Sequence, residues 1–283
     1  MFKRVLFTFT FSFIQFFSQT TYYVAPSASG GSDSNAGTLA APFETLQYAI
    51  NQLSAGDVLY IREGIYRETI TIDEDGTSGN LITIENYNNE VVTIDGTVDV
   101  AGTWSTYGSV SGAYQLSSYS TDITQLFVDD EPMVNARWPN AQFNDDSIFS
   151  HSTWAQGDEG DDDNPNSVQG SLQIDEDIYN PAPLDLNNSI GVLNIGSFKT
   201  ETVKITGHTQ NAGADDVITY GYTGGTDADY STTYKDKHHY YFFEGKLDFM
   251  DTNNEWFHDK TNDILYLYPD DGLNPSTTGR TIK

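Results

Sequence analysis

The first hundred positions contain four short runs of β-branched and other apolar residues, separated by turn-forming Gly, Asn and Asp. The runs cover residues 58–61, 69–72, 81–84 and 91–94. Tyr60 lies 23 positions before Thr83, and Thr71 lies 22 positions before Thr93, so the runs can stack in two pairs. Such a repeat predicts coils of a parallel β-helix, each burying its apolar face against its neighbours. A β-sandwich with a strand roughly every 10 to 12 residues fits the same spacing, and both folds stay open on spacing alone.

A helix is expected ahead of these runs. Apolar residues recur at spacings of three and four between positions 43 and 53, which indicates one buried helical face. These residues are Phe43, Leu46, Ala49, Ile50 and Leu53. We expect the helix to start at Pro42 and to end before Gly56, and we expect a first strand at residues 22–24.

The amino terminus has the pattern of an export signal. Lys3 and Arg4 precede an apolar, Phe-rich run over residues 5–17. This run is shorter than the 20 or so apolar residues that a membrane-spanning helix needs, so a membrane anchor is the weaker interpretation. We predict a signal peptide over residues 1–18 and a secreted or cell-surface protein without a membrane span.

The chain has no cysteine, so its fold depends on core packing and hydrogen bonds without disulfides. It carries 41 acidic and 13 basic residues, a formal net charge of −28. Removing Lys3 and Arg4 with the signal gives −28 − 2 = −30. Nucleic acid is excluded as a partner because a phosphate backbone needs clustered Lys and Arg. An acidic surface hydrated in salty surroundings explains this charge more simply than bound calcium does.

From about Ala101 the sequence pattern changes: the runs become longer and rich in Tyr, Thr and Ser, and the 22-residue repeat is absent. This change predicts a second, antiparallel β-sandwich domain, and therefore an all-β chain. Expected strands cover residues 113–116, 125–128, 171–174, 191–195, 202–206, 217–220, 240–243, 255–258 and 264–268, the last two forming a hairpin.

We therefore assign residues 20–100 to a cap and first coils of the β-helix, 101–270 to the sandwich, and 271–283 to the start of a return to the β-helix. Solenoids need about three or more repeats and a cap at each end. We expect the chain to be part of a longer protein.

Four segments carry a family resemblance when they are read in order. They are residues 22–26 with 42–43, residues 56–61 with 64–66, residues 126–129 running to 136–140, and residues 255–257 with 265–269. Together they resemble the amino-terminal part of large bacterial right-handed parallel β-helix proteins, secreted or surface-exposed, found among polysaccharide lyases and glycoside hydrolases.

The resemblance implies a β-sandwich inserted after the first coils, a polysaccharide as substrate or ligand, and catalytic groups on later coils. It leaves lyase and hydrolase activity equally open and names no catalytic residue. A non-catalytic extracellular glycan-binding or adhesion module is the alternative. Oligomeric state is not indicated.

Three residues are candidates for sugar binding. Arg137 and Trp138 combine a cation with an indole face before a rigid Pro139, which suits stacking on a sugar and hydrogen bonding to it. Their alternative is an Arg packed on Trp at the domain junction. Trp154, next to His151 in a polar stretch, is either an exposed sugar platform or a core residue.

Asp161, Asp162 and Asp163 offer the hard oxygen ligands that calcium prefers. Their spacing does not match a defined calcium loop, so a solvated acidic loop is the favoured interpretation. His238 and His239 form the only local basic concentration, with Lys235 and Lys237, but neighbouring strand residues face opposite sides. We expect those histidines to be structural, as we do Arg62, Arg67 and Asp95.

Overall fold

A computed structural model describes residues 19–156, 171–174, 184–196, 199–210, 216–221 and 240–283. The predicted signal peptide lies outside these residues. The chain is all-β, as predicted, and forms two compact units, Met1–Val98 and Asp99–Lys283. No described helix is both long enough and apolar enough to cross a membrane.

The first unit stacks short parallel strands in two small sheets. Its strands are β1 (Thr21–Val24), β2 (Val58–Ile61), β3 (Gly64–Tyr66), β4 (Thr83–Asn86) and β5 (Val92–Ile94). Its helical segments are α1 (Leu46–Ile50) and the 3₁₀ turns Ser27–Ser29 and Tyr87–Asn89. One sheet has the order β1-β2-β4 and the other joins β3 to β5, all in parallel. From β2 to β5 the chain therefore visits the two sheets in turn, as the coils of a β-helix do.

The observed register differs from the one that the sequence suggested. Val58 lies opposite Thr83, a separation of 25 residues, and Ile65 lies opposite Thr93, a separation of 28. The prediction of a strand over residues 69–72 is wrong, since β3 is the strand that pairs with β5.

Residues 69–72 bond to helix α1 instead of to a strand. The Thr71 N–H donates to the Gln47 side-chain oxygen at 2.7 Å, and the Thr71 carbonyl accepts from the same amide at 3.1 Å. Just before it, the Glu68 carboxylate accepts the Leu46 and Gln47 N–H groups at 2.8 and 2.9 Å. A carboxylate is favourable at a helix start because it satisfies N–H groups that have no partner within the helix.

Helix α1 begins later than expected. Phe43 is extended and pairs with the first strand, since its N–H donates to the Tyr23 carbonyl at 2.9 Å and its carbonyl accepts from Ala25 at 2.9 Å. Thr45 is the cap, its hydroxyl accepting the Tyr48 N–H. The five residues of the predicted apolar face are all buried, but only Leu46, Ala49 and Ile50 lie on the helix.

Coils of the first unit also meet through side chains. The rings of Tyr23 and Tyr60, adjacent in register, stack with centroids 5.5 Å apart, and Tyr87 meets both edge-on. Arg62 bonds to Glu90 at 2.8 Å across 28 positions of sequence. These contacts agree with the structural role predicted for Arg62.

The second unit contains two larger sheets. Its strands are β6 (Ser105–Thr106), β7 (Tyr114–Ser117), β8 (Phe127–Val128), β9 (Glu131–Pro132), β10 (Val134–Asn135), β11 (Arg137–Trp138), β12 (Ala155–Gln156), β13 (Ser171–Ile174), β14 (Ile190–Gly196), β15 (Lys199–Thr209), β16 (Asp216–Tyr220), β17 (Tyr240–Glu244), β18 (Glu255–Asp259) and β19 (Ile264–Tyr268). Among the described residues of this unit, the helical segments are Ser147–Phe149, His151–Thr153, Leu247–Phe249 and α2 (Pro275–Thr278).

One sheet has the order β10-β18-β19-β7-β6, and the other has the order β11-β17-β14-β15-β16-β13, with β12 also pairing β17. All neighbours are antiparallel except β10 and β18, and β18 and β19 form the predicted hairpin. Both sheets contribute to one buried cluster, in which Leu193 and Phe243 of one sheet lie with Tyr266 of the other.

Replacing Gly31 with Ala should destabilise the first unit. A Cβ at this buried position would lie 1.8 Å from the Ala25 carbonyl oxygen and 3.0 Å from that of Phe43, so the backbone must shift. Overpacking of this kind costs about 1–3 kcal/mol or more. Hydrogen exchange at the amides of β1 and β2 should therefore become faster in Gly31→Ala.

Gly96→Ala is the matched control, because a Cβ there meets nothing within 4 Å. Equal exchange rates in the two variants would contradict the close backbone approach at Gly31.

Candidate functional site

Strand β17 divides its side chains between the core and the outer face of its sheet. Tyr241 and Phe243 are 1% and 0% exposed, whereas Tyr240, Phe242 and Glu244 are half-buried. Because successive strand residues point to opposite faces, the last three share the outer face. This face carries both candidate sites.

The first candidate site is a contiguous set of rings that we call the aromatic surface, made of His151, Trp154, Tyr240 and Phe242. His151 stacks on Tyr240 with ring centroids 4.9 Å apart and planes inclined by 18°. Trp154 meets Phe242 edge-on at 4.7 Å and His151 at 5.9 Å. His151 is exposed and the other rings are half-buried, so the surface can offer apolar ring area to a ligand.

Arg137 supports the aromatic surface through buried contacts. Its side chain is buried, and the guanidinium lies 3.9 Å from the centre of the Phe242 ring. It donates to the carbonyl oxygens of Pro139 at 3.0 Å and Thr153 at 2.9 Å, and burial lowers the pKa of the guanidinium to about 10. The contact with Thr153 fixes the backbone beside Trp154, so Arg137 positions the aromatic surface.

The three predicted sugar-binding residues therefore occupy different places. Arg137 and Trp154 both contact Phe242. Trp138 instead stacks on the core residue Phe243 at 6.3 Å and packs against the buried cluster. Their role in sugar binding stays a prediction, with Trp154 the best placed to contact a ligand.

The second candidate site is a cleft of about 310 Å³ that we call the Glu244 cleft. Its volume lies at the lower end of the range found for small-molecule sites. Ten residues line it: Ile123, Thr124, Asn135, Ile190, Glu244, Gly245, Trp256, Phe257, His258 and Lys260. The cleft therefore combines apolar walls with a carboxyl, an amide and an imidazole.

Glu244 is the carboxyl of this cleft. Burial raises its pKa, and the opposing effect of the Arg137 cation, its cross-strand neighbour, is smaller. A carboxyl that keeps its proton to higher pH can donate a hydrogen bond or a proton, as general acids do.

His258 offers the complementary group. Its side chain Nε2 lies 2.9 Å from the Tyr119 carbonyl oxygen, and since a carbonyl only accepts, Nε2 is the protonated nitrogen. In the neutral ring Nδ1 then carries a lone pair, and it has no hydrogen-bond partner among the residues that the structure describes, although His258 is only 8% exposed. This nitrogen is itself closed to solvent, so it is a buried acceptor without a described partner.

Sequence reasoning missed Glu244 and His258 as site residues. The four consecutive aromatic residues at positions 240–243 do not alternate with polar ones, so the sequence does not show which pair is buried; the structure does, and thereby places Glu244 on the outer face. No local signal marks His258, whose position in the cleft depends on the meeting of distant strands.

The predicted calcium ligands Asp161, Asp162 and Asp163 lie outside the described residues, and so do His238 and His239. Calcium binding stays a prediction. Within the parts of the chain that the structure describes, no group of three or more His, Asp or Glu side chains could hold a metal ion.

The comparisons with known proteins agree with the fold. Residues 22–160 match a family model described as a Pel9A-like, right-handed beta helix region. A 74-residue stretch is 47% identical to the uncharacterized protein YwoF of Bacillus subtilis (strain 168), covering 26% of this chain and 15% of that protein. A 76-residue stretch is 41% identical to pectate lyase PEL9 of Emericella nidulans, covering 26% of this chain and 18% of the lyase.

Among solved structures, a glycoside hydrolase aligns with 93% of this chain and 45% of its own, with a TM-score of 0.56 and 17% sequence identity. That likeness concerns the fold. The chain spans less than a fifth of the length of the two curated relatives. Together the matches show a β-helix fold of the kind found in carbohydrate-active proteins.

A buried carboxyl that accepts the Arg137 N–H should make stability depend on pH. Glu255 is 0% exposed, and burial raises its pKa from 4.5 to about 8, although the N–H groups of Arg137, Asp251 and Thr252 favour the charged form. A raised pKa means that the folded state holds the proton more tightly. The contribution of the protonated Glu255 side chain to the stability of the folded state is complete below pH 4.5 and is lost as pH rises through 8.

Glu255→Gln should therefore flatten the fall in unfolding free energy between about pH 5 and pH 8, by up to about 5 kcal/mol. Urea unfolding followed by Trp fluorescence measures this, because all four Trp residues lie in the second unit. The exposed Glu131→Gln should keep the wild-type pH profile. Parallel profiles for wild type and Glu255→Gln would contradict the prediction.

Proposed function

We propose that the chain is part of an exported carbohydrate-active β-helix protein, and that its aromatic surface binds polysaccharide. The observation that carries this proposal is the contiguous row of rings from Tyr240 through His151 to Trp154, buttressed by Arg137. Sugar rings present flat C–H faces that pack on aromatic rings, with hydroxyls left for polar neighbours.

The substrate class is supported by the Pel9A-like match and by the similarity to a pectate lyase. The net charge of −28 would repel a polyanionic glycan unless local cations or calcium offset it. We therefore favour a neutral glycan for the described surface.

Cleavage by elimination or by hydrolysis is proposed for the whole protein, with catalytic groups on further coils of the β-helix. The two reactions give different products, since elimination leaves an unsaturated sugar and hydrolysis does not. The proposal of export is supported by the basic residues and the apolar run at the amino terminus. The proposed arrangement of cap, coils and inserted sandwich is supported by the change of sequence pattern near Ala101.

Trp154→Ala should weaken polysaccharide binding about tenfold or more, because the indole is a large ring of the aromatic surface and contacts both His151 and Phe242. Co-sedimentation with insoluble polysaccharides, followed by titration calorimetry with soluble fragments of any glycan that is retained, measures the loss.

Tyr48→Ala is the control, since Tyr48 is an aromatic residue of the first unit, is 38% exposed and is not part of the aromatic surface. Near-ultraviolet circular dichroism should show that both variants are folded. The proposal fails if no glycan in a broad panel is retained, or if Trp154→Ala binds as tightly as wild type.

A further inference from the structure

We propose that the ligand of the aromatic surface is an extended, uncharged glycan chain of several sugar units, which lies along strand β14 between the rings and a row of threonines on β15. This inference rests on the proposed function and adds binding residues outside the aromatic surface. We call these residues the β14 strip, made of Ile190, Val192 and Asn194 of β14 with Thr200 and Thr202 of β15.

Strand β14 has the same alternation as β17. Leu193 is 0% exposed and belongs to the buried cluster, whereas Val192 and Asn194 are half-buried and Ile190 is 36% exposed. Successive strand residues point to opposite faces, so the last three lie on the outer face of the sheet. They therefore stay accessible to a ligand.

The register places the strip directly beside the rings of β17. Asn194 lies opposite Tyr240, and Val192 lies opposite Phe242. Side chains opposite each other on neighbouring strands have Cβ atoms about 4.5–5.5 Å apart. A ligand that packs on the aromatic surface can therefore contact the strip without leaving the outer face.

Strand β15 lines the other side of β14 with hydroxyl groups. Val203 is buried in the core, so Thr202 and Thr200 point outwards, and both are exposed. Thr200 lies opposite Asn194, and Thr202 lies opposite Val192. The strip thus has rings along one side and hydroxyls along the other, which suits a sugar with apolar C–H faces and a polar rim.

The length of the strip requires more than one sugar unit. The four residue steps from Ile190 to Asn194 cover about 13 Å at roughly 3.3 Å per residue. A single sugar ring is shorter than this distance. An oligomer can contact the whole strip, so affinity should rise with the number of sugar units.

The charges of this face favour an uncharged chain. None of the five residues of the strip carries a charge, and neither does Tyr240 or Phe242 beside them. Glu244 and Lys204, which flank Ile190 on its two sides, are an acidic and a basic residue. The face therefore has no excess of one sign with which to select an ionic ligand.

A second copy of the chain is a poorer occupant than a glycan. The centre of a stable protein interface is mainly apolar. In the strip only Ile190 and Val192 are apolar, and the two threonines and Asn194 would lose water on burial. A sugar chain, in contrast, offers hydroxyls to those polar groups.

Thr202→Glu tests the proposal. The change puts a longer and charged side chain beside the middle of the strip, at an exposed position of a strand. We expect the affinity for hexasaccharides of xylan, mannan or β-glucan, measured by titration calorimetry, to fall tenfold or more. Thr93→Glu is the matched control, since Thr93 is an exposed strand residue of the first unit, and it should bind as wild type does.

A second measurement uses the wild-type chain, in case the variant does not fold. An extended site predicts that a hexasaccharide binds at least tenfold more tightly than the disaccharide of the same glycan. Equal affinities for the two would overturn the proposal, and so would normal hexasaccharide binding by a folded Thr202→Glu chain.

Trp154→Ala separates this inference from the proposed function. If Trp154→Ala loses polysaccharide retention while Thr202→Glu binds hexasaccharides as wild type does, the aromatic surface stands and the β14 strip is overturned. Self-association that Thr202→Glu abolishes, measured by analytical ultracentrifugation, would also overturn it, because the strip would then bind a second copy. If no glycan is retained by wild type, the proposed function itself fails and the strip falls with it.

Discussion

The two-residue period of strand β17 is the constraint on which both candidate sites depend. Tyr241 and Phe243 anchor the strand in the core of the second unit, which fixes the direction of every other side chain. Tyr240 and Phe242 then support the aromatic surface, and Glu244 enters the cleft. A shift of register by one residue would exchange the two sets, so the buried pair specifies the functional face.

Acidic side chains hold backbone segments in place by accepting their N–H groups, in a chain that has no disulfides. Asp57 is buried and accepts the N–H groups of Thr20 and Ser54, while Asp33 accepts those of Glu44 and Thr45. In the second unit, the carboxylates of Asp129 and Asp259 do the same. Surface hydration is the explanation that the sequence favours for the large negative charge. These hydrogen bonds give part of that charge a structural role as well. Hydrogen bonds to charged groups are worth about 1.5–3 kcal/mol each.

The sequence was most informative where structure is local. The first strand, the buried face of α1 and the β18–β19 hairpin follow from short-range spacing and turn chemistry. The strand expected at residues 69–72 failed because Gln47 and Glu68, some 20 positions from their partners, set the path of that segment. A β-branched run predicts a strand only if no other partner takes its backbone groups.

The candidate sites were less predictable for the same reason. Trp154 was recognisable from its polar neighbours, yet its contact with Phe242 joins residues 88 positions apart. The Glu244 cleft needs β10, β17 and β18 to meet, and its His258 ring is held by a carbonyl 139 positions away. Such long-range juxtapositions have no signature in a single sequence.

The proposed function requires sugar to bind on the outer face of β17. A crystal structure of the chain soaked with a neutral oligosaccharide would show whether it does. We expect sugar density against the rings of Trp154 and His151. Density confined to the first unit, with the aromatic surface empty, would contradict sugar binding at β17.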